Sequence, residues 1–512
     1  MFSDAHIVRH LHQIIYLGAL ADRRAAEPRP IQGRVGPDLD VVTDLHGTDL
    51  RNLLMAARDE FVTETVGPHH HARVQADAPA DNALGGDHDP RHQPRALTDR
   101  GSATDEHLRL QEGTFLDDRA VLDAQREFVE NDTLAAILFT SGSTGAPKGV
   151  CYTHGMFDTQ IELVRTTYAI RPGETDMAML PLFALFNPAL GTTTVTPLLD
   201  PSKPLAADPA PLVAALIAEK VTCSFGSPAI WSKVADHCEA HGSKLPDLRR
   251  LLIAGAPVSG ELLAKLRVVA PNCVTHTPYG ATECLPVTTI TADELLGEAR
   301  QLALRGQGTC VGRPVSGVEI RVIRETDGPI VTLAEAQACA PGEIGEIIAT
   351  GPSVTREYDG LPEATRLAKI ADGARVWHRM GDLGTLDAEG RLFFFGRRVE
   401  KVRTVEGELP TESLEPAFRQ HPQVFRCALI GLGEAQHQTP ALVVEPRAGH
   451  FPESEAARDL FIAELRELAR INPQADRVQH IVFQRALPVD VRHNAKIHRL
   501  QLAKEWTSRL AR

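Results

Sequence analysis

From Leu134 onward the 512-residue chain alternates short apolar runs with amphipathic stretches, and few architectures can bury such a pattern. A short apolar run suits a strand covered on both faces, and an amphipathic stretch suits a helix lying over it. The alternation therefore predicts βαβ units around a mostly parallel sheet, an α/β fold. The clearest unit spans residues 248–277. Its apolar run Leu251-Leu252-Ile253-Ala254 meets the turn Gly255-Ala256-Pro257, and Ser259 stands where it caps a helix carrying Leu262, Leu263 and Leu266. A second strand follows at 273–277. Another unit has Asp208 as helix cap and Pro209 in the first turn, then Leu212, Ala215 and Leu216 ahead of a strand at 221–225.

The texture differs at both ends. After a boundary near 396–404 the pattern predicts a small α+β domain, with strands at 424–430, 441–444 and 478–483. Leu460, Phe461, Leu465 and Leu468 mark one helical face there. The first 130 residues hold 10 of the 21 histidines, and between Gly67 and Gly113 there is no Phe, Tyr or Trp. Such a segment buries little apolar area to offset its ordering entropy, so 1–130 reads as an atypical, poorly ordered or non-native segment. His69, His70 and His71 are metal-capable by composition alone, with no acidic or cysteine partners at regular spacing. The division expected is 1–130, a core at 131–398 and a small domain at 399–512.

A net charge of −13, from 54 basic and 67 acidic residues, argues against a nucleic-acid binder, which needs a positive surface. An anionic ligand must be met locally, by a few cations, backbone N–H groups or a metal. The eight cysteines show no CxxC pair, which favours reduced thiols over a disulfide framework or zinc module. No stretch reaches the roughly 18 apolar residues of a membrane span, and the start lacks a signal-peptide pattern, so the expected location is cytoplasmic.

Four segments carry chemistry. The run 134–140 leads into Ser141-Gly142-Ser143-Thr144-Gly145-Ala146-Pro147-Lys148-Gly149, where small residues expose backbone N–H groups beside one lysine, as a polyphosphate requires. A Walker loop has Gly-Lys-Ser/Thr after its second glycine and this does not, so the run is a phosphate cradle of another kind or a plain turn. Tyr279-Gly280-Ala281-Thr282-Glu283 follows a strand of the parallel sheet, at the edge where ligands of α/β sheets collect. Its ring can stack on a base and its carboxylate can hold Mg²⁺, although a half-buried core tyrosine is the commoner fate of such a residue. Asp382 in His378-Arg379-Met380-Gly381-Asp382, with Arg397 after Gly396, suits ribose hydroxyls or a turn. Lys496, taken alone, is a surface charge.

In this order the segments resemble the adenylate-forming superfamily of acyl-CoA synthetases, luciferases and peptide-synthetase adenylation domains, over about residues 131–512. The resemblance implies a large parallel-sheet domain, incomplete at its start, and a small mobile α+β domain. It implies that Thr140, Ser141, Gly142, Ser143, Thr144, Gly145 and Lys148 embrace the phosphates of ATP. Tyr279 and Gly280 would pack on adenine, with Gly255 and Ala256 lining its pocket. Thr282 would contact the α-phosphate, Glu283 would bind Mg²⁺, and Asp382 and Arg397 would hold the ribose. Lys496 would bridge the carboxylate and the α-phosphate.

Departures from the common pattern point to one branch. Ala184 stands where acyl-CoA synthetases carry histidine, Met380 where Thr is usual before Gly-Asp, Val399 where the hinge has Asp or Lys, and Asn494-Ala495 before Lys496. These features look like the β-lactone synthetases of bacterial long-chain olefin biosynthesis. The resemblance implies adenylation of a 2-alkyl-3-hydroxy fatty acid, then attack of its own β-hydroxyl on the acyl carbonyl. His493 is a candidate base for that hydroxyl, or else a packing residue. The alternatives are a fatty acyl-CoA or acyl-AMP ligase, and an inactive nucleotide-binding protein lacking the usual N-terminal subdomain. The partner expected is the fatty hydroxy acid; assembly with other olefin-biosynthesis enzymes stays open.

Overall fold

The computed structural model describes residues 31–34, 40–43, 61–65, 72–76, 131–140, 146–197, 199–200, 206–490 and 496–510. Ser141, Gly142, Ser143, Thr144 and Gly145 of the loop, His69 to His71, and His493, Asn494 and Ala495 before Lys496 lie outside the described residues. The first strands are β1 (Ile31–Arg34), β2 (Asp40–Thr43), β3 (Phe61–Thr65) and β4 (Ala72–Ala76). β3 and β4 form a two-stranded sheet. β1 and β2 join β5 (Leu134–Phe139) and β6 (Gly149–Thr153) in an antiparallel sheet of order β1-β2-β5-β6. β5 and β6 pair with Phe139 opposite Gly149, and helix α1 (His154–Thr167) starts only after β6.

The βαβ reading describes one half of a twelve-stranded sheet. β7 (Thr175–Ala178), β8 (Thr193–Thr194), β9 (Cys223–Gly226), β10 (Arg250–Ile253) and β11 (Val274–Ala281) run parallel in the order β8-β7-β9-β10-β11. The connecting helices are α2 (Pro209–Ala218), α3 (Pro228–His241) and α4 (Gly260–Val269). The Asp208 carboxylate accepts from Ala210 N at 3.0 Å and the Ser259 hydroxyl from Leu262 N at 3.2 Å, the caps that the sequence predicts. α4 buries Leu262, Leu266 and Val269, and α3 buries Ile230, Trp231, Val234 and Cys238, into one core with Met177, Leu251 and Ile253. Each such large side chain contributes about 1.5–3 kcal/mol by leaving water.

β11 outruns its expected end at Thr277 by four residues, and beyond it the sheet turns antiparallel. β12 (Cys284–Thr291), β13 (Thr309–Pro314), β14 (Glu319–Ile323), β15 (Gly345–Thr350), β17 (Arg375–Leu386) and β18 (Leu392–Arg397) complete the order β14-β15-β17-β18-β13-β12-β11, with β16 (Lys369–Asp372) paired on β17. This half places Asp382 and Arg397 directly opposite each other on β17 and β18.

Separate apolar cores start at Val402, past the last strand of the large sheet. A hairpin of β19 (Val402–Thr404) and β20 (Gly407–Leu409) leads into a three-stranded sheet of β21 (Val424–Leu432), β22 (Thr439–Pro446) and β23 (His480–Phe483), flanked by α5 (Glu455–Ala469) and α6 (Arg499–Leu510). The face of α5 needs correction. Phe461, Leu465 and Ala469 are buried, whereas Leu460 is 62% and Leu468 38% exposed. Spacing of four keeps residues 461, 465 and 469 on one stripe, and residues 460 and 468 fall beside it.

Candidate active site

β11 and β12 are joined by a two-residue turn, Thr282-Glu283, because Ala281 pairs with Cys284 across the hairpin. Gly280 has no room for a side chain, since a Cβ there would stand 2.7 Å from the Cys284 carbonyl oxygen. Residues distant in sequence clamp the turn. The Tyr152 hydroxyl donates to the Thr282 carbonyl, and Thr355 N donates to the Glu283 carbonyl at 3.0 Å. The Tyr358 hydroxyl donates to Glu283 Oε1 at 2.6 Å. Lys369 Nζ donates to Thr355 Oγ1 at 3.1 Å, and burial pushes its ammonium down to about 8.

A second group forms where β11, β17 and β18 adjoin. The Tyr279 hydroxyl donates to Asp382 Oδ2 at 2.6 Å, and Arg397 Nη1 lies 3.2 Å from Asp382 Oδ1 while donating to the Met380 carbonyl. The Arg397 contact to Oδ1 is close enough for an ion pair but lacks hydrogen-bond alignment, so Oδ1 retains acceptor capacity. Burial pushes the Asp382 carboxyl up, opposed by Arg397, the Tyr279 donation and the charge of Lys496. Glu283 adds to the upward push, so the two groups share one electrostatic field. The Tyr279 ring lies 5.9 Å from that of Phe394 and packs on the core around Val287 and Met380. Four residues before Asp382 on β17, the His378 ring is buried and held well below its usual range by burial and the charge of Lys369.

The loop lysine reaches the first group through an aromatic ring. Lys148 Nζ stands 4.9 Å from the Tyr358 ring centroid, a cation–π distance. The base of the loop is closed by Thr140 N donating to the Lys148 carbonyl at 3.0 Å and Lys148 N donating to Thr140 Oγ1 at 3.1 Å. Gly255, with a left-handed φ of +92°, and Ala256 follow the carboxyl end of β10, beside β11.

Lys496 lies beyond the three-stranded sheet, where Val489 and Ile497 form an antiparallel bridge and Asp490 N donates to the Lys496 carbonyl at 2.9 Å. Ionic and polar contacts join the region after Arg397 to the sheet, a loop and a helix before it. They are Thr309 Oγ1 to Glu412 at 2.6 Å, Lys401 to Glu325 at 2.7 Å, and Arg447 to Glu261 at 2.6 Å. At the passage between the domains Gly396 has φ +107°, and a Cβ there would meet Thr411 Oγ1 at 2.2 Å. Gly396→Ala is expected to destabilise the protein by about 2–4 kcal/mol, read as a lower urea midpoint at unchanged m-value.

Sequence reasoning did not single out Tyr152, Thr355, Tyr358 and Lys369. None lies in a motif, and Tyr152 and Tyr358 stand 130 and 75 residues from the atoms they hold. An apolar cavity of about 20 Å³, lined by Val164, Phe183, Phe186, Phe225, Leu252 and Pro278, lies next to this site.

The family model for the AMP-binding enzyme matches residues 43–359. The chain belongs to the AMP-binding enzyme family. The match begins ahead of residue 131, where the recognisable motifs start. An olefin β-lactone synthetase of Xanthomonas campestris is 45% identical over 382 residues, covering 73% of this chain and 66% of that protein. One of Stenotrophomonas maltophilia is 44% identical over 385 residues, covering 74% and 68%. The chain thus spans about two thirds of the length of these relatives. Among solved structures, the amide bond synthetase McbA of Marinactinospora thermotolerans superposes with a TM-score of 0.59 at 23% identity, covering 73% of this chain and 69% of that one, which shows a shared fold. Among the described residues no helix is long and apolar enough to cross a membrane.

Proposed function

We propose that the chain adenylates a 2-alkyl-3-hydroxy fatty acid with ATP and closes it to a β-lactone. The observation that carries the nucleotide part is the meeting of Asp382, Arg397, Tyr279 and the Lys496 charge beside Glu283. The similarity to two olefin β-lactone synthetases supports the lactone part.

In this reading a carboxylate oxygen of the substrate attacks the α-phosphorus and the bond to pyrophosphate breaks. Anion meets anion, so charge neutralisation and positioning must supply most of the acceleration. Lys496 takes the charge developing between carboxylate and α-phosphate. Lys148 and the loop N–H groups hold the β- and γ-phosphates, and Thr282 the α-phosphate. The ribose hydroxyls donate to Asp382 with Arg397 beside them, and adenine lies against Tyr279, Gly280, Gly255 and Ala256.

Glu283 is the carboxylate of the turn, and among the described residues no cluster of three or more His, Cys, Asp or Glu side chains offers an all-protein metal cage. That donor set fits Mg²⁺, which draws most of its ligands from phosphate oxygens and water. When bound on Glu283 it would neutralise the charge on the departing pyrophosphate.

In the second step the β-hydroxyl oxygen attacks the acyl carbonyl, the bond to AMP breaks, and His493 is assigned the hydroxyl proton. Holding both groups in one molecule makes the closure intramolecular, so no thiol is needed. The apolar cavity beside Pro278 has room, at about 20 Å³, for about one water, so an alkyl chain enters there only if the cavity opens. Phe183 and Phe225, stacked with centroids 3.4 Å apart, must separate to admit a chain. The purified protein, given ATP, Mg²⁺ and a 2-alkyl-3-hydroxy acid without coenzyme A, is expected to release β-lactone, AMP and pyrophosphate. Coenzyme A dependence, or AMP release without lactone, would sink the lactone reading.

A further inference from the structure

Tyr358 touches both charged partners of the phosphate region and belongs to neither motif. Its backbone is fixed from two sides. Residues 357–359 run antiparallel to β6, with Cys151 N donating to the Glu357 carbonyl at 3.3 Å and Asp359 N to the Gly149 carbonyl at 2.8 Å. Tyr358 N donates to Thr365 Oγ1 at 3.0 Å. The side chain, 5% exposed, therefore occupies one place.

From that place the hydroxyl donates to Glu283 Oε1 at 2.6 Å, while Lys148 Nζ lies 4.9 Å and Lys369 Nζ 5.9 Å from the ring centroid. Lys148 and Glu283 carry opposite charges and meet the same residue, yet among the described residues no ion pair joins them. A direct pair would have to be broken before either side chain could serve a nucleotide, and at a half-buried site that break is costly. An aromatic ring holds an ammonium by its face and a carboxylate by its hydroxyl, without neutralising either.

We propose that Tyr358 is a positioning residue that separates Lys148 from Glu283, aiming the lysine at the phosphates and the carboxylate at the metal of an incoming Mg·ATP. This rests on the reading of Glu283 as the Mg²⁺ ligand. Tyr358→Phe then frees Glu283 while keeping the seat of Lys148, and Tyr358→Leu removes both.

The test is calorimetric titration of the full chain with α,β-methylene-ATP, whose α–β link does not break so that it cannot donate its adenylyl group, in MgCl₂ and again in EDTA. For Tyr358→Phe the affinity is expected to fall roughly tenfold in MgCl₂, as for a lost hydrogen bond to a charged group, and to stay within about twofold in EDTA. Tyr358→Leu is expected to weaken binding in both media. Tyr358→Phe keeps the packing of the ring, so it decides the matter even where Tyr358→Leu fails to fold. Equal affinity of Tyr358→Phe and the parent in MgCl₂, or equal weakening in both media, overturns the proposal. The readout involves no turnover. A parent protein that forms no AMP defeats the proposed function and leaves this titration intact, and a lactone-forming parent with an unaltered Tyr358→Phe defeats only the role of Tyr358.

Discussion

Replacing Lys496 by alanine is expected to lower AMP-forming turnover by about 10²–10³-fold, because a preorganised charge aimed at the transition state is removed. The nucleotide should still bind, since Asp382, Arg397 and Tyr279 hold one another without the lysine. The effect should therefore appear in kcat, with the KM for ATP changed little. Pyrophosphate release measured on the parent and on Lys496→Ala tests this. Unchanged turnover would remove Lys496 from the chemistry, whereas a parent that binds ATP and releases no pyrophosphate would favour a nucleotide-binding protein without catalysis.

The largest effect on stability is expected at Arg379, three residues before Asp382 on β17. Its guanidinium is buried and donates to the Glu346 carboxylate, with Nη2 to Oε2 at 2.6 Å, and to the carbonyls of Gly328, Leu367 and Thr326. Arg379→Met leaves Glu346, itself 2% exposed, without its counter-charge, and such a loss costs about 3–5 kcal/mol. Urea unfolding should show it as a large drop in midpoint. The double variant Arg379→Met/Glu346→Met should recover a good part, because no unpaired charge remains buried. A single variant as stable as the parent would show that water reaches Glu346.

The helix caps were legible because capping is a contact between neighbours. Asp208 and Ser259 need only the backbone two or three residues ahead. The apolar run of β10 was legible for a similar reason, since a strand buried on both faces reads as a continuous hydrophobic stretch. The antiparallel half of the sheet was not. Its strands carry glycines and charges, as in Leu392–Arg397, and no local period separates them from loops. The α5 face was half read, because 460, 461, 465 and 468 look like one cluster on paper while only the stripe through 461 and 465 meets the core.

The candidate site divides in the same way. Lys148, Tyr279, Glu283, Asp382, Arg397 and Lys496 were nominated from short motifs. Their mutual geometry depends on β11, β17, β18 and a separate domain coming together. Tyr358 and Lys369 stood in no motif, and their importance arises only from the atoms they approach.

By itself the sequence determined the local choices, namely which apolar runs become strands of the parallel half, where helices begin, and which short motifs nominate a candidate site. Hydrogen bonds between neighbours and side-chain periodicity act over a few residues and leave a pattern in the text. Only the tertiary structure decided which charges share a field. Burial and Coulomb interaction depend on distance in space, and the tyrosine that holds Glu283 lies 75 residues further along the chain.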